Sequence, residues 1–93
     1  MATEVHDHPE RSRYEITVDG RLAGIADYHT SGNTMVFRHT EIDAAMQGQG
    51  LADQLIRAAL DDVRPSGRTV VARCAFVARF IEEHPDYADL LAV

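Results

Sequence analysis

Ninety-three residues with 45% apolar and 26% charged side chains and a formal net charge of −6 fit one soluble domain around a single modest core. At this size folding hides only about two thirds of the surface exposed by the unfolded chain, which excludes full nucleotide-binding α/β folds and barrels. The nine basic residues face fifteen acids, which opposes nonspecific nucleic-acid binding, and all nine are Arg, so no lysine can serve as a Schiff-base nucleophile.

Met1 to Glu10 is polar and acidic and reads as a flexible leader before one domain spanning residues 11–93. His6 and His8 have the spacing of two metal ligands, but a stable site needs three or four converging donors, so no metal is expected. From Arg13 to Val18, Tyr14, Ile16 and Val18 alternate with polar residues, the period of a half-buried strand. Asp19-Gly20 supplies a tight turn, and Leu22 to Tyr28 is the returning strand. Beyond the polar loop Thr30-Ser31-Gly32-Asn33, Thr34 to Ile42 alternates again. Its pattern puts Met35, Phe37 and His39 on one face and Val36, Arg38, Thr40 and Ile42 on the other.

The period then changes. Leu51, Leu55, Ile56, Ala59, Leu60 and Val63 fall at helical spacing, with Asp53, Arg57 and Asp61 on the outer side and Pro65-Ser66-Gly67 as the stop. Thr69 to Arg73 is a β-branched run expected to be a buried strand. Phe76, Val77, Phe80, Ile81 and His84 mark a second helix, closed by Pro85. The tail from Tyr87 to Val93 is apolar enough to dock. The expected order is β-β-β-α-β-α, an α+β fold with a mixed four-stranded sheet whose third and fourth strands are parallel neighbours joined by a crossover helix.

One cysteine cannot form an internal disulfide, and the N-terminal residues lack the basic-then-apolar pattern of a secretory signal. No apolar run approaches the roughly 18 residues that span a membrane. A cytoplasmic location without membrane association is the expectation.

The chemistry-bearing segment runs from Ile42 through Asp43-Ala44-Ala45-Met46-Gln47-Gly48-Gln49-Gly50 to Leu51-Ala52, between a strand and a helix. Gly48 and Gly50 let the backbone bend around a ligand, and the free N–H groups opening the next helix suit an anion such as a pyrophosphate. A turn that merely joins strand to helix has the same composition. A P-loop is excluded, since it needs Lys followed by Ser or Thr. The dinucleotide fingerprint fails too, with Asp53 at its third glycine and Val70 where a ribose-binding acid would stand.

The run Gln47-Gly48-Gln49-Gly50-Leu51-Ala52 resembles the acetyl-CoA motif Gln/Arg-x-x-Gly-x-Gly/Ala of the GNAT superfamily of N-acetyltransferases. Arg13-Tyr14-Glu15, Asp19-Gly20, His39-Thr40-Glu41, Gly48-Gln49-Gly50 and the stretch from Cys74-Ala75-Phe76-Val77 through Phe80-Ile81 to His84-Pro85-Asp86-Tyr87 look like the small single-domain members of that superfamily. The resemblance covers nearly the whole chain from Arg13 onward. It implies a minimal GNAT fold with splayed parallel strands and acetyl-CoA as cosubstrate. By that resemblance the backbone amides of Gln47, Gly48, Gln49, Gly50, Leu51 and Ala52 hold the pyrophosphate, and Thr40, Glu41 and Ile42 run beside the pantetheine arm. The Ile42 N–H holds the acetyl carbonyl, and Cys74 and Phe76 complete the cofactor-binding set near the thioester.

Acetyl transfer to an amine needs a base for the nucleophile and a proton for the departing thiolate. Glu41 is a candidate base, directly or through water, or else a solvated edge carboxylate. His39 has a suitable intrinsic pKa, but its pattern groups it with Met35 and Phe37, as a core or pocket histidine. Cys74 is a candidate general acid or acetyl acceptor; otherwise it is a small buried hydrophobe. His84 suits capping of a helix C-terminus, and Phe76 and Phe80 share a helical face that is most simply core. Compared with full-length acetyltransferases, the helix pair after the first strand and the closing antiparallel strands are absent, and these build much of the acceptor pocket. The expected activity is therefore acetyl transfer to an unidentified amine acceptor, bulky or protein-borne, by a monomer or a homodimer that completes the pocket. A noncatalytic acyl-CoA-binding or sensing module is the alternative, and a small interaction domain whose glycine turn binds nothing is the third reading.

Overall fold

The alternating segments do form an antiparallel meander, and it is one strand wider than the sequence pattern predicts. The structure is a computed structural model that describes residues 2–92. Its strands are β1 (Thr3–His8), β2 (Arg13–Val18), β3 (Arg21–Ser31), β4 (Thr34–Ile42) and β5 (Thr69–Ala72), and its helices are α1 (Leu51–Val63) and α2 (Ala75–Glu83). Short 3-10 turns occupy Pro9–Arg11, Ala44–Met46, Arg64–Ser66 and Pro85–Leu90. The sheet order is β1-β2-β3-β4-β5, antiparallel through β4 and parallel between β4 and β5. The expected parallel pair joined by a helix is thus present, in a sheet of five strands rather than four.

The additional strand corrects the reading of residues 1–10 as a flexible leader; Met1 itself lies outside the described residues, as does Val93 at the other end. Thr3–His8 pairs with β2 along its length, from Thr3 opposite Val18 to His8 opposite Arg13. Only Val5 in this stretch packs on the core, so the segment shows no apolar alternation. Polar anchors take the place of apolar ones. The Tyr28 hydroxyl donates to Asp7 at 2.6 Å, and Thr3 Oγ1 donates to Gln54 of α1 at 3.0 Å. On the other face His6 lies 3.3 Å from Glu4, and His8 lies between Glu10 (3.0 Å) and Glu15 (3.2 Å), so these imidazoles engage carboxylates.

Both helices bury their apolar stripes in one cluster on one face of the sheet. From α1 come Leu51, Leu55, Ile56, Ala59, Leu60 and Val63, all buried as their spacing predicts; α2 adds Val77, Phe80 and Ile81. Against them stand Tyr14, Ile16, Met35, Phe37 and Val70 of the sheet. Tyr14, Tyr28 and Phe37 form an aromatic knot with centroids 5.4 to 6.3 Å apart. The tail docks here too: Tyr87 and Leu90 are buried, the Tyr87 hydroxyl donates to Asp61 at 2.7 Å, and Arg64 grips Asp89 at 2.6 Å. His84 fulfils the capping role, donating from Nδ1 to the Phe80 carbonyl at 2.7 Å. No helix among the described residues is long and apolar enough to cross a membrane.

The opposite face of the sheet carries charged residues. Glu15 is nearly buried there, among Arg13 (2.7 Å), Arg11 (3.4 Å) and His8. Burial pushes its carboxyl up, but the hydrogen bond from Arg13 and the charges of His8, Arg13 and Arg11 outweigh it and hold the group below its ordinary value of 4.5. A carboxylate with a depressed folded pKa stabilises the fold above the unfolded value and loses that contribution as pH falls through the folded one. Glu15→Gln is therefore expected to cost about 1 kcal/mol near neutral pH and to flatten the loss of stability below pH 4.5. Urea midpoints followed from neutral to acid pH check this, and an acid slope equal to that of the wild type refutes it.

Candidate functional site

The two parallel strands part company early. The ladder between β4 and β5 runs only from Thr34 opposite Thr69 to Phe37 opposite Ala72. The Phe37 carbonyl then accepts from two successive N–H groups, Arg73 at 2.9 Å and Cys74 at 3.1 Å, which turns the chain out of the sheet and into α2. β4 continues to Ile42 with β3 on one side and, among the described residues, no strand on the other. This gap is the splay implied by the sequence resemblance.

One residue decides what faces the gap. In the β3–β4 ladder Tyr28 lies opposite Phe37 but Asp27 lies opposite His39, so Arg38 is an extra residue in β4. A single insertion inverts a period of two. Thr40 and Ile42 consequently join the helix-covered face of Met35 and Phe37, while His39 and Glu41 point to the other face. This corrects the grouping of His39 with Met35 and Phe37 as a core or pocket histidine: its side chain is 59% exposed, with Nε2 3.3 Å from Glu41 Oε2.

The backbone beyond the bulge is oriented by its ladder. The Asp43 N–H donates to the Ala23 carbonyl at 2.7 Å, and the Glu41 carbonyl also faces β3, against Gly24. Each peptide unit is planar and trans, so the Ile42 N–H and C=O must point the opposite way, into the gap. The Ile42 carbonyl is taken up there by Gln47 Nε2 at 3.2 Å. Its N–H is left as a donor beside the opening.

After β4 the Asp43 side chain accepts from Ala45 N at 2.9 Å and caps the turn Ala44–Met46. Gly48 and Gly50 then take positive φ, +83° and +73°, so that the chain doubles back into α1. Gly50 is the N-cap of α1, and a glycine offers no side chain to cover the first-turn N–H groups. A 13-residue helix with an uncapped N-terminus beside a glycine turn is a natural anion cradle.

A cleft of ≈ 360 Å³ joins these parts. It is lined by Thr40 and Ile42 of β4, Met46, Gln47, Gly48 and Gly50 of the turn, Leu51, Ala52 and Asp53 of α1, and Phe76 of α2. Phe76 corrects the core reading that it shared with Phe80: it is 36% exposed and forms a wall of the cleft, whereas Phe80 is buried. Gln49 borders a separate hollow on the other side of the turn, with Arg21 and Asp43. Glu41 and His39 lie off the cleft on the bare sheet face, where Glu41 borders a shallow hollow with Ile25 and Asp43. Cys74 is the N-cap of α2 and is partly buried, with Sγ 3.4 Å from Thr40 Oγ1. The chain thus brings Thr40, Ile42, Cys74 and Phe76 to one side of the gap region and Glu41 and His39 to the other face of the same strand. Met46 and Asp53 also line the cleft, and no spacing rule singles them out.

A larger hollow, ≈ 620 Å³, lies at the far end of β4 between Tyr14, Tyr28, Asp7, Asp62 and Arg68. The two tyrosine hydroxyls there are raised well above their ordinary value, first by burial and then by donation to Asp62 and Asp7, so both stay neutral. It has neither the glycine turn nor the unpaired strand edge of the smaller cleft.

Residues 13–90 match the family model described as GCN5-related N-acetyl-transferase. The chain is 34% identical over 82 residues to Protein NATD1 of Bos taurus, covering 82% of this chain and 71% of that relative. The fold is similar to a GCN5-like protein from Staphylococcus aureus solved by NMR, with a TM-score of 0.73 at 20% identity over 96% of this chain and 87% of that one. It is also similar to N-acetylglutamate synthase from Neisseria gonorrhoeae complexed with coenzyme A and N-acetyl-glutamate, with a TM-score of 0.62 at 18% identity over 88% of this chain and 22% of that one.

The turn that forms the cradle can be tested by itself. A Cβ at Gly50 would meet nothing within 4 Å, so the cost of substitution there is the backbone conformation and not packing. Gly50→Ala is expected to lose about 1 kcal/mol of stability in urea unfolding, with Gly50→Asn losing less. Equal stability of wild type and Gly50→Ala would show that the left-handed turn is not required.

Proposed function

This chain belongs to the GCN5-related N-acetyl-transferase family, and on that footing we propose that it binds acetyl-CoA in the cleft at the end of β4 and transfers the acetyl group to an amine, one carried on a protein or another bulky acceptor. The observation that carries this reading is the unpaired edge of β4 beyond Phe37, with the Ile42 N–H turned into the gap and the glycine turn adjoining it. The amides from Gln47 to Ala52 would hold the pyrophosphate. The pantetheine arm would lie along Thr40 to Ile42, replacing the strand partner that β5 no longer supplies, with Phe76 against its apolar stretch.

With the thioester in the gap, its carbonyl oxygen meets the Ile42 N–H. Attack by a neutral amine forms the C–N bond and moves negative charge onto that oxygen, where one oriented donor contributes about 3 kcal/mol. Collapse breaks the C–S bond and expels the CoA thiolate. The amine approaches from the bare face, because the cleft on the helix-covered face is taken by the cofactor. Glu41, with His39 at 3.3 Å, stands on that face and takes the amine proton through water. Cys74 lies beside Thr40 at the start of α2, and its thiol either returns a proton to the CoA thiolate or accepts the acetyl group before the amine does. The second reading, an acyl-CoA-binding module without transfer, draws support from the same bare face, which puts no wall of helix beside His39 and Glu41.

Titration calorimetry with acetyl-CoA and CoA tests the binding step: both are expected to bind, and Gly48→Ala with Gly50→Ala to weaken both; no heat from either ligand overturns the proposal. Glu41→Gln is expected to slow transfer to an amine panel about 100-fold and to alter the pH–rate profile, with acetyl-CoA affinity unchanged; an unaltered profile overturns the base assignment. Intact mass after incubation with acetyl-CoA distinguishes the two roles of Cys74: an added acetyl group that Cys74→Ala abolishes assigns the acceptor role, and no adduct with slowed transfer in Cys74→Ala assigns the acid.

A further inference from the structure

Gly24 of β3 stands opposite Ile42 in the ladder. It has an ordinary negative φ, so its lack of a side chain answers a need for space and not for a turn. A Cβ built there would lie 2.8 Å from the Glu41 carbonyl oxygen, closer still to Ile42 Cδ1, and 3.3 Å from Ile16 Cγ2. The first of these neighbours is backbone, which cannot swing aside as a side chain end does. It is also one end of the peptide unit whose other end is the Ile42 N–H.

We propose that Gly24 is a positioning residue for acetyl transfer: the missing side chain lets β4 settle against β3 so that the Glu41–Ile42 peptide aims its N–H into the gap. This rests on the reading of Ile42 as the donor to the acetyl carbonyl. The local register is built around that approach. An extra residue in β3, Ala23, lies between the pairs Ile16–Gly24 and Thr17–Leu22, and an extra residue in β4, Arg38, lies between the pairs with Tyr28 and Asp27. Ala23 is buried and its carbonyl holds Asp43 N at 2.7 Å, so Gly24 and Ala23 fix the strand on both sides of Ile42. Any β-carbon at position 24 pushes the Glu41 carbonyl away. Because the peptide unit is rigid, the N–H at Ile42 turns with it. The cradle at Gly48 and Gly50 is untouched, so the cost falls on the reacting carbonyl rather than on holding the nucleotide. A misplacement of about 1 Å at a reacting group costs on the order of 100-fold in rate.

The test compares amide NMR spectra with CoA and with acetyl-CoA. In the wild type the Ile42 amide is expected to shift further with acetyl-CoA than with CoA, whose pantetheine arm runs along the same strand, while Gly48 and Gly50 shift equally with both. In Gly24→Ala the acetyl-specific shift at position 42 is lost while those of Gly48 and Gly50 persist. Acetyl-CoA affinity changes less than about 3-fold, and turnover with any amine that the wild type acetylates falls by about 100-fold. Adding Ile42→Val removes the side-chain overlap but not the carbonyl one, so the double variant folds more readily and still lacks the signal that Ile42→Val alone retains. A full acetyl-specific shift in Gly24→Ala or in the double variant overturns the role of Gly24. Its absence in the wild type overturns the reading of Ile42 itself, and this inference with it.

Discussion

The Phe37 carbonyl accepts two N–H groups where a parallel ladder would give it one. That doubled hydrogen bond ends the pairing of β4 with β5, starts α2 and opens the sheet. An unpaired strand edge is normally a liability, since its N–H and C=O groups must find partners. Here the edge is short and set at the rim of a cleft. Gln47 satisfies one carbonyl, and a ligand with amide groups of its own can satisfy the rest. The same break therefore supplies both the space and the hydrogen-bonding potential for a linear guest.

A second constraint, the extra residue Arg38, divides the labour across the strand. Without it, His39 and Glu41 would lie under the helices, and burying two ionisable groups there would cost several kcal/mol. With it, the apolar Ile42 and the short Thr40 face the cleft, and the charged pair faces water on the bare side. The cleft-lining side chains and the ionisable pair thus occupy opposite faces of one strand, a few residues apart, without either side chain set crowding the other.

Much of this was legible in the amino-acid order. The helical stripe from Leu51 to Val63, the second helix, the parallel strand after the crossover and the glycine turn all follow from period and turn chemistry, because each is a local pattern backed by burial. Three features were not. β1 is held by polar contacts of Thr3 and Asp7 that leave no alternation of apolar residues to read. The bulge at Arg38 has no signature of its own; the alternation simply continues in letters while the geometry shifts by one. The exposure of Phe76 cannot be told from that of Phe80, four residues on, until the position of β4 is known. In each case the deciding quantity was a relation between distant segments and not a property of the segment itself.

The docked tail has a consequence for assembly. Ala92 donates to the Val70 carbonyl at 2.8 Å, and Leu91 bridges to Val70, so the outer edge of β5 is already occupied by the chain's own backbone. Another strand could join there only by evicting this segment, which is anchored through Tyr87, Leu90 and the Arg64–Asp89 pair. The opposite edge, β1, is open but lined with Glu4, His6 and His8. One margin of the sheet is guarded by occupancy and the other by charge, so sheet-to-sheet growth is disfavoured on both sides while the gap inside the sheet stays available to a guest.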